Sequence, residues 1–580
     1  MAQVDGGALL VRMLDRAGVR QIFTLHGGHL DAIFQAALDH GFKLVDTRHE
    51  QAAAHAAEGF ARTTGRPAVA ICTAGPGITD AVTGVANAHL DCVPMLLIGG
   101  AAPLRDAETL PLQGGFDQVA LFEPITKWAH RVTHTERIPD LVAQALRVAT
   151  TGRPGPVYLE IPIDVLFARV DEDAVSMPAQ VKPQAAPAPS PEAVEQLVEW
   201  LAAAERPAIL VGGGARFSDA SQELCELALE AQIPVFSNGR AHGVVPADHP
   251  CCGRGFTNLA ALRMVGAGEA DVVVVLGARL GLFTGGRGAR LIPAGARLVQ
   301  VDIEGEEIGR NRDVDLGIVA DCRETVRALR RALEGRSLPD RSDWLEAVRQ
   351  VRSGHEVVFA AAIANEKEPI HPYQLAHTVA RTIDRDAILV ADGGETSSWV
   401  DTVANVHAPG HWMSHGYLGC LGTGMPFAIA AQVAHPDKQV VCVIGDGSVG
   451  LNFAEFDTMV RHGLPIVVVI SNDQQWGMSA HGQDIMFGKD RRVVTDLAAT
   501  RYDLAAAGFG CHAEYVVDPA DLRPALERAL ASALPACVNV MTDPSVIAPA
   551  TLAMLGRSAP PEPKTEESGV TLPYYDDLEK

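Results

Sequence analysis

No apolar run in the sequence approaches the eighteen or so residues that a membrane span requires, so the chain is expected to work in water. The N-terminus, "MAQVDGGALLVRMLDRAGV", carries charges inside its apolar pattern, which marks an amphipathic helix and not a secretory leader. Basic residues are in short supply: 48 Lys and Arg face 71 Asp and Glu, a formal net charge of -23. Such a surface argues against nucleic acid and anionic membrane as partners. Paired cysteines are missing too. The ten cysteines stand singly or, at Cys251 and Cys252, side by side, with no C-x-x-C and no histidine cluster at zinc spacing. Together these absences point to a reduced, cytoplasmic protein.

What the sequence does contain is apolar: 47% of its 580 residues are hydrophobic and only 21% charged, the balance of a well-buried globular protein. That length exceeds what one core supports, so about three domains of roughly 150 to 200 residues are expected. Short β-branched runs such as "PAVAICTAG" and "PMLLIGG" alternate with helical patterns through residues 1–176, which implies a parallel α/β sheet. A Pro- and Ala-rich stretch at 177–191 reads as a linker. A second α/β unit, 192–340, contains "PAILVGGGARF", "DVVVVLGARLG" and "RLVQVDIE"; a charged stretch at 341–368 reads as another linker. The third unit, 369–550, holds "DAILVADGGE" and "ACVNVMTDP", and 551–580 reads as a Pro-rich acidic tail or lid. The fold class is therefore α/β, with three successive parallel-sheet domains.

One stretch, "VIGDGSVGLNFAEFDTMVRHGLPIVVVISNDQQWG" at 443–477, carries most of the chemistry. Its pattern predicts a strand at Val440 to Ile444, a helix from Leu451 to about His462 and a strand at Ile466 to Ile470, a right-handed βαβ unit. Asp446 and Asp473 then fall just past the carboxyl ends of parallel strands, the edge at which such sheets bind ligands. Gly447 allows a close backbone approach, and the N–H groups from Gly447 to Gly450 suit a phosphate. Two carboxylates beside a phosphate suit Mg²⁺. The pair reads as a magnesium-diphosphate clamp.

Gly445-Asp446-Gly447 followed by Asn472-Asp473 resembles the fingerprint of enzymes that use thiamine diphosphate, in which GDG and a downstream Asn-Asn hold the magnesium and the diphosphate. The resemblance implies Asp446, Asp473 and the backbone carbonyl of Gln475 as metal ligands. Here the second Asn is replaced by Asp473, which adds a negative charge beside the diphosphate. The resemblance further implies that Glu50, in "DTRHEQAAAHAAEGFAR", hydrogen-bonds N1′ of the aminopyrimidine and promotes its imino tautomer. Leu421 is the apolar wedge beneath the cofactor, the carbonyl of Gly419 a partner for the 4′-nitrogen, and Thr73 part of the pyrimidine pocket. Gly394, Glu395, Thr396, His415, Ser448, Gly477 and Met478 complete the implied cofactor contacts. Such enzymes build each site from two subunits, which implies a homodimer at minimum and a homotetramer as the common form.

Within that group the segments "LHGGHLDAIFQAALDH", "QVALFEPITKWAHRV" and "HGYLG" are most similar to the benzaldehyde lyase family, with acetolactate synthases and 2-hydroxyacyl-CoA lyases more distant. By that resemblance His29 relays a proton to or from the substrate hydroxyl and Gln113 hydrogen-bonds the substrate oxygen; His26 is a lesser candidate. The implied activity is cleavage or formation of 2-hydroxy ketones from aldehydes. Positions that carry aromatic walls in that family look like Ile163, Ser397 and Gly482 here, and Gly28 replaces a small Ala, so a pocket for aliphatic or larger groups is expected. Arg287 and Arg290 in a Gly-rich loop, with the acidic tail, suggest a CoA ester as the alternative substrate. Ser479 stands where a hydroxyacyl-CoA lyase is expected to carry an acid. Gln113-Gly114 stands where an acetolactate synthase is expected to carry Phe-Gln.

Overall fold

In the computed structural model the residues described are 3–181, 183, 185–286, 288 and 291–555. Three six-stranded sheets, every pair of neighbours parallel, organise them. The first runs in the order Lys43–Asp46, Gln21–Thr24, Ala68–Cys72, Met95–Ala101, Pro156–Pro162, Ala129–Arg131. The second is Cys252–Gly255, Val235–Ser237, Pro207–Val211, Val272–Leu276, Arg297–Asp302, Leu316–Val319, and the third Trp412–Ser414, Ile388–Asp392, Val440–Gly445, Val467–Asn472, Ala536–Met541, His512–Val516. The central strands are continuous apolar runs, such as Val272–Leu276, buried along their whole length. Helices cover both faces of such sheets, which leaves no solvent side on which polar residues would alternate.

The described residues divide into two compact units. One takes those up to 185 with 415–437 and 452–464; the other takes 186–414, 438–451 and those from 465 on, and so contains the second and third sheets. In the first unit the helix Glu50–Thr64 is Ala-rich and almost wholly buried. It starts under the His49 cap, whose Nδ1 accepts from Gln51 N, and stops at Gly65 in the left-handed conformation (φ 73°). Its small side chains let the helix Gly424–Ala434 approach closely: a Cβ on Gly59 would lie 2.9 Å from Phe427 Cα.

Three expectations need correction. The helix expected from Leu451 to His462 is two helices, Asp446–Leu451 and Glu455–Arg461. The break is set by Asn452, a buried side chain that donates to Gly422 O at 2.7 Å. The segment 341–368, expected as a linker, carries the helix Ser342–Val358, with Trp344, Leu345 and Val348 buried against the second sheet's layers. Trp344 Nε1 donates to Pro207 O at 2.9 Å; the charges between these apolar positions mask a helical spacing. The tail expected from 551 begins inside the helix Pro549–Met554. Arg287, Arg290 and the rest of the tail from 556 lie outside the described residues. Between 177 and 190 the described residues form no helix or strand. Among the described residues no helix is long and apolar enough to cross a membrane.

Candidate active site

In the second unit, Val440–Gly445 and Val467–Asn472 are adjacent and pair in register up to Gly445 and Ser471. Asp446 and Asp473 therefore leave the sheet at the same edge. Ile388–Asp392 lies on the other side of Val440–Gly445, which brings the segment after Asp392 to that edge as well. Close approach there demands glycine. A Cβ on Gly447 would sit 2.7 Å from the Trp476 ring, one on Gly477 2.7 Å from Asp473 Oδ2, and one on Gly394 2.9 Å from Met478 Sδ. Gly393 has φ 102° and faces Ser448 Oγ, while Thr396 Oγ1 borders Gly445. The structure thus brings together Gly394, Glu395, Thr396, Asp446, Gly447, Ser448, Asp473, Gln475, Gly477 and Met478.

The electrostatics of this edge are those of a site built for a cation. Asp446 is 2% exposed; its Oδ1 accepts from Gly447 N at 3.0 Å, and its Oδ2 is buried without a donor. Burial and then the charge of Asp473 push the Asp446 carboxyl above the usual range, and burial pushes Asp473 up as well. A buried carboxyl with an orphan acceptor, beside a second, half-buried one, fits a hard divalent ion. Gln475 is fixed by its side chain, which donates to Asp473 Oδ2 at 3.2 Å and Pro544 O at 2.9 Å and accepts from Arg492 Nη1 at 2.9 Å.

Sequence reasoning missed His481. Its Nδ1 lies 3.0 Å from both Glu395 oxygens and its Nε2 2.9 Å from Pro544 O. Burial lowers its pKa, and the Glu395 hydrogen bond and charge outweigh that, so the net shift is upward from the ordinary histidine value. Thr551 Oγ1 also donates to Glu395 at 2.6 Å. The only signal in the sequence is His481 standing four residues past Gly477, one helical turn on.

In the first unit the strand Ala68–Cys72 runs into Thr73 and the helix Pro76–Leu90. Glu50 is 8% exposed, and its Oε1 lies 3.3 Å from where a Gly77 Cβ would stand. Thr73 Oγ1 is 3.3 Å from His29 Nδ1. Gln113, left-handed at φ 61°, packs its backbone on Gly75. Glu50, Thr73, His29 and Gln113 thus form one arc. Burial lowers the His29 pKa, which keeps the ring neutral at pH 7, and beside it a Cβ on Gly28 would meet nothing within 4 Å. His26 is instead exposed and paired with Asp31 at 3.0 Å. Ile163 is half-buried at the start of a short helix. In the second unit Ser397 spends its hydroxyl on Gly393 O at 2.5 Å, and Gly482 is buried in the helix Gly477–Phe487 with only Met486 Cε nearby.

The loop with Gly419 (φ 67°) and Leu421 also belongs to the first unit, as does His415, which is half-buried. It is tied down by Asp91, whose Oδ1 accepts from Tyr417 N at 3.0 Å and whose carboxylate leaves no room for a Cβ on Gly416. Asp91 is in turn bonded to Arg62, which also pairs with Glu58, and Asn87 donates to both Glu58 oxygens. Cys420 Sγ lies 3.6 Å from His55 Nε2.

Three family models match in succession and together cover more than half of the chain. "Thiamine pyrophosphate enzyme, N-terminal TPP binding domain" covers residues 4–121, the "central domain" of the same enzymes 194–329, and their "C-terminal TPP binding domain" 392–540. The sequence is 36% identical over 547 residues to a Mycobacterium bovis protein named probable acetolactate synthase, covering 94% of this chain and 97% of that one. It is 31% identical over 541 residues to the acetolactate synthase isozyme 1 large subunit of Escherichia coli, covering 93% and 94%. To 2-hydroxyacyl-CoA lyase 2 of Bos taurus it is 33% identical over 547 residues, covering 87% and 84%.

Proposed function

The chain belongs to the thiamine pyrophosphate-dependent enzymes, and from that premise we propose that it is a carbon–carbon lyase and carboligase acting on 2-hydroxy ketones and their aldehydes. Its cofactor is thiamine diphosphate, which is normally paired with Mg²⁺. In this reading Asp446, Asp473 and the carbonyl of Gln475 hold the metal, and the glycines of that edge admit the diphosphate. When bound, thiamine diphosphate supplies the carbon nucleophile and the electron sink of the reaction. The protein's own residues supply orientation and proton control.

The observation that carries the reading is the arc in the first unit. Glu50 is a buried carboxylate suited to holding a proton against a ring nitrogen, and Thr73 separates it from a neutral His29. A neutral imidazole takes the proton of a substrate hydroxyl as the carbon–carbon bond breaks, and returns it in the ligation direction. Gln113 offers an amide N–H to the carbonyl oxygen. The open space at Gly28 leaves room for an acyl substituent beside His29. A homodimer is the minimum active assembly in this reading.

Two other readings draw on the relatives' names: cleavage of a 2-hydroxyacyl-CoA, and acetolactate formation from pyruvate. Ser479 in place of an acid counts against the first, and Gln113-Gly114 in place of Phe-Gln against the second. The test is product analysis of the protein with thiamine diphosphate and Mg²⁺, offered benzoin, an aliphatic acyloin, a 2-hydroxyacyl-CoA and pyruvate in parallel. Aldehyde released from an acyloin supports the proposal. Formyl-CoA from the CoA ester, or acetolactate and carbon dioxide from pyruvate, with no aldehyde from either acyloin, would replace it with the corresponding alternative.

A further inference from the structure

Away from that site, a cavity of about 480 Å³ opens in the second unit, with four arginines on its wall: Arg254, Arg352, Arg381 and Arg385. Such a concentration is unexpected in a chain with a formal net charge of -23. Two of the four are neutralised. Arg385 pairs with Asp248, which also faces His407, and Arg381 pairs with Glu356. Both follow or end the helix Pro372–Thr382, where cations are favoured in any case.

Arg254 and Arg352 are different. Neither lies within ion-pair distance of a carboxylate among the described residues, and Asp384, the remaining acid of the wall, pairs with no arginine there. Arg352 Nη1 donates only to the carbonyls of Ala247 and Cys252, at 3.2 and 3.3 Å. Arg254 has two neutral partners, Asn405 Oδ1 and His355 Nε2. His355 is itself kept neutral, its pKa pushed down to about 4 by burial and then by Arg254, and its Nδ1 is held by Tyr373 at 2.8 Å. Arg254 Nε is buried with no acceptor. Burial, and the nearness of Arg352 and Arg381, lower the Arg254 pKa.

The backbone shows the same departure from an ordinary structural role. Arg254 sits on the edge strand Cys252–Gly255, where the pairing with Val235–Ser237 shifts register between Val235 and Phe236. It comes just after the resulting bulge in the left-handed conformation, φ 58°, which strains a non-glycine residue. Glu356, already paired with Arg381, acts on Arg254 only at longer range, and a strained, partly desolvated guanidinium with no ion-pair partner of its own is destabilising unless something supplies one.

We propose that this cavity is a phosphate-binding site, in which a dianionic phosphate group bridges the guanidiniums of Arg254 and Arg352. Two unneutralised guanidiniums match the two negative charges of a phosphate or phosphate monoester better than the single charge of a carboxylate, and their forked N–H groups suit its oxygens. The cavity is large enough for the phosphate to be part of a larger molecule. The proposal stands apart from the reading of the active site.

The test is calorimetric titration of the full chain, saturated with thiamine diphosphate and Mg²⁺ so that its diphosphate edge is filled. The probes are inorganic phosphate, AMP and coenzyme A. The expected result is one saturable site per chain, weakened at least about tenfold by Arg352→Gln, largely restored in Arg352→Lys, and unchanged by Arg336→Gln, whose partner Glu195 is on the surface. Tightest binding of inorganic phosphate would identify the ligand as the free anion; tighter binding of AMP or coenzyme A would identify a phosphate ester. No saturable binding of any probe, or binding that survives Arg352→Gln, overturns the proposal. Arg254→Gln is the second variant; where it fails to fold, the Arg352 pair decides alone.

Discussion

At the scale of single residues, the decisive feature is that a buried Asp446 stands beside a half-buried Asp473. Burial raises the pKa of both, the charge of Asp473 raises Asp446 further, and the ionised pair weighs on the folded state until a cation enters. Asp473→Asn removes one of the two while keeping an oxygen donor. The metal-free variant is expected to melt at a higher temperature than the parent at pH 8, by differential scanning calorimetry; an unchanged or lower midpoint would mean the carboxyls do not oppose each other. Asp446→Ala is expected to abolish the Mg²⁺ dependence of thiamine diphosphate binding in a fluorescence titration, because the orphan Oδ2 is gone. These two positions were legible in the sequence, since each stands just past a short apolar run, and the end of a parallel strand puts the next residues at the ligand edge of the sheet. His481 was not. It reaches Glu395 across 86 positions of sequence, and no local pattern encodes a contact between two helices of one edge.

At the scale of elements, the loop Gly416 to Gly422 shows how a mobile type of segment is held. Its backbone is bonded to Asp91 and Asn452, and Asp91 is bonded to Arg62. Asp91→Asn removes the charge that pairs with Arg62 and weakens the hold on Tyr417 N. A loss of about 3 kcal/mol in stability is expected for breaking a buried pair, with weaker thiamine diphosphate binding if Gly419 and Leu421 serve the cofactor. Urea unfolding and the same titration measure the two effects separately; loss of stability with unchanged binding would confine Asp91 to a structural role. The strands were legible because both faces are buried, so the runs are unbroken. The helix break after Leu451 was not, because it depends on where the buried Asn452 amide finds its acceptor. The helix Ser342–Val358 was hidden by its charges: only one face is apolar, and charged residues between Trp344, Leu345 and Val348 read as solvated chain.

At the scale of the molecule, stability should carry the mark of Glu455. This carboxyl is 1% exposed, accepts from Arg48 N and Thr458 Oγ1, and is pushed up to about 7 by burial. A folded-state pKa above the ordinary value of 4.5 means that the native protein holds the proton more tightly than the unfolded chain. The stability this contributes is fully present below about pH 4.5 and is lost as pH rises through about 7. Glu455→Gln is expected to flatten the fall of the thermal midpoint across that window; an identical slope in the variant would assign it to other groups. Three parallel α/β units could be read from alternating patterns along the chain, but the grouping of 415–437 and 452–464 with the first unit could not, because it is set by packing of Ala-rich helices far apart in sequence.

The claim on which the account turns is that Glu50 activates the cofactor. Hydrogen–deuterium exchange at C2 of protein-bound thiamine diphosphate, followed by quenched flow and NMR, tests it most directly. The account predicts exchange far faster than in free thiamine diphosphate, slowed at least about tenfold in Glu50→Gln with cofactor affinity largely retained. Equal exchange rates in the two proteins would contradict it.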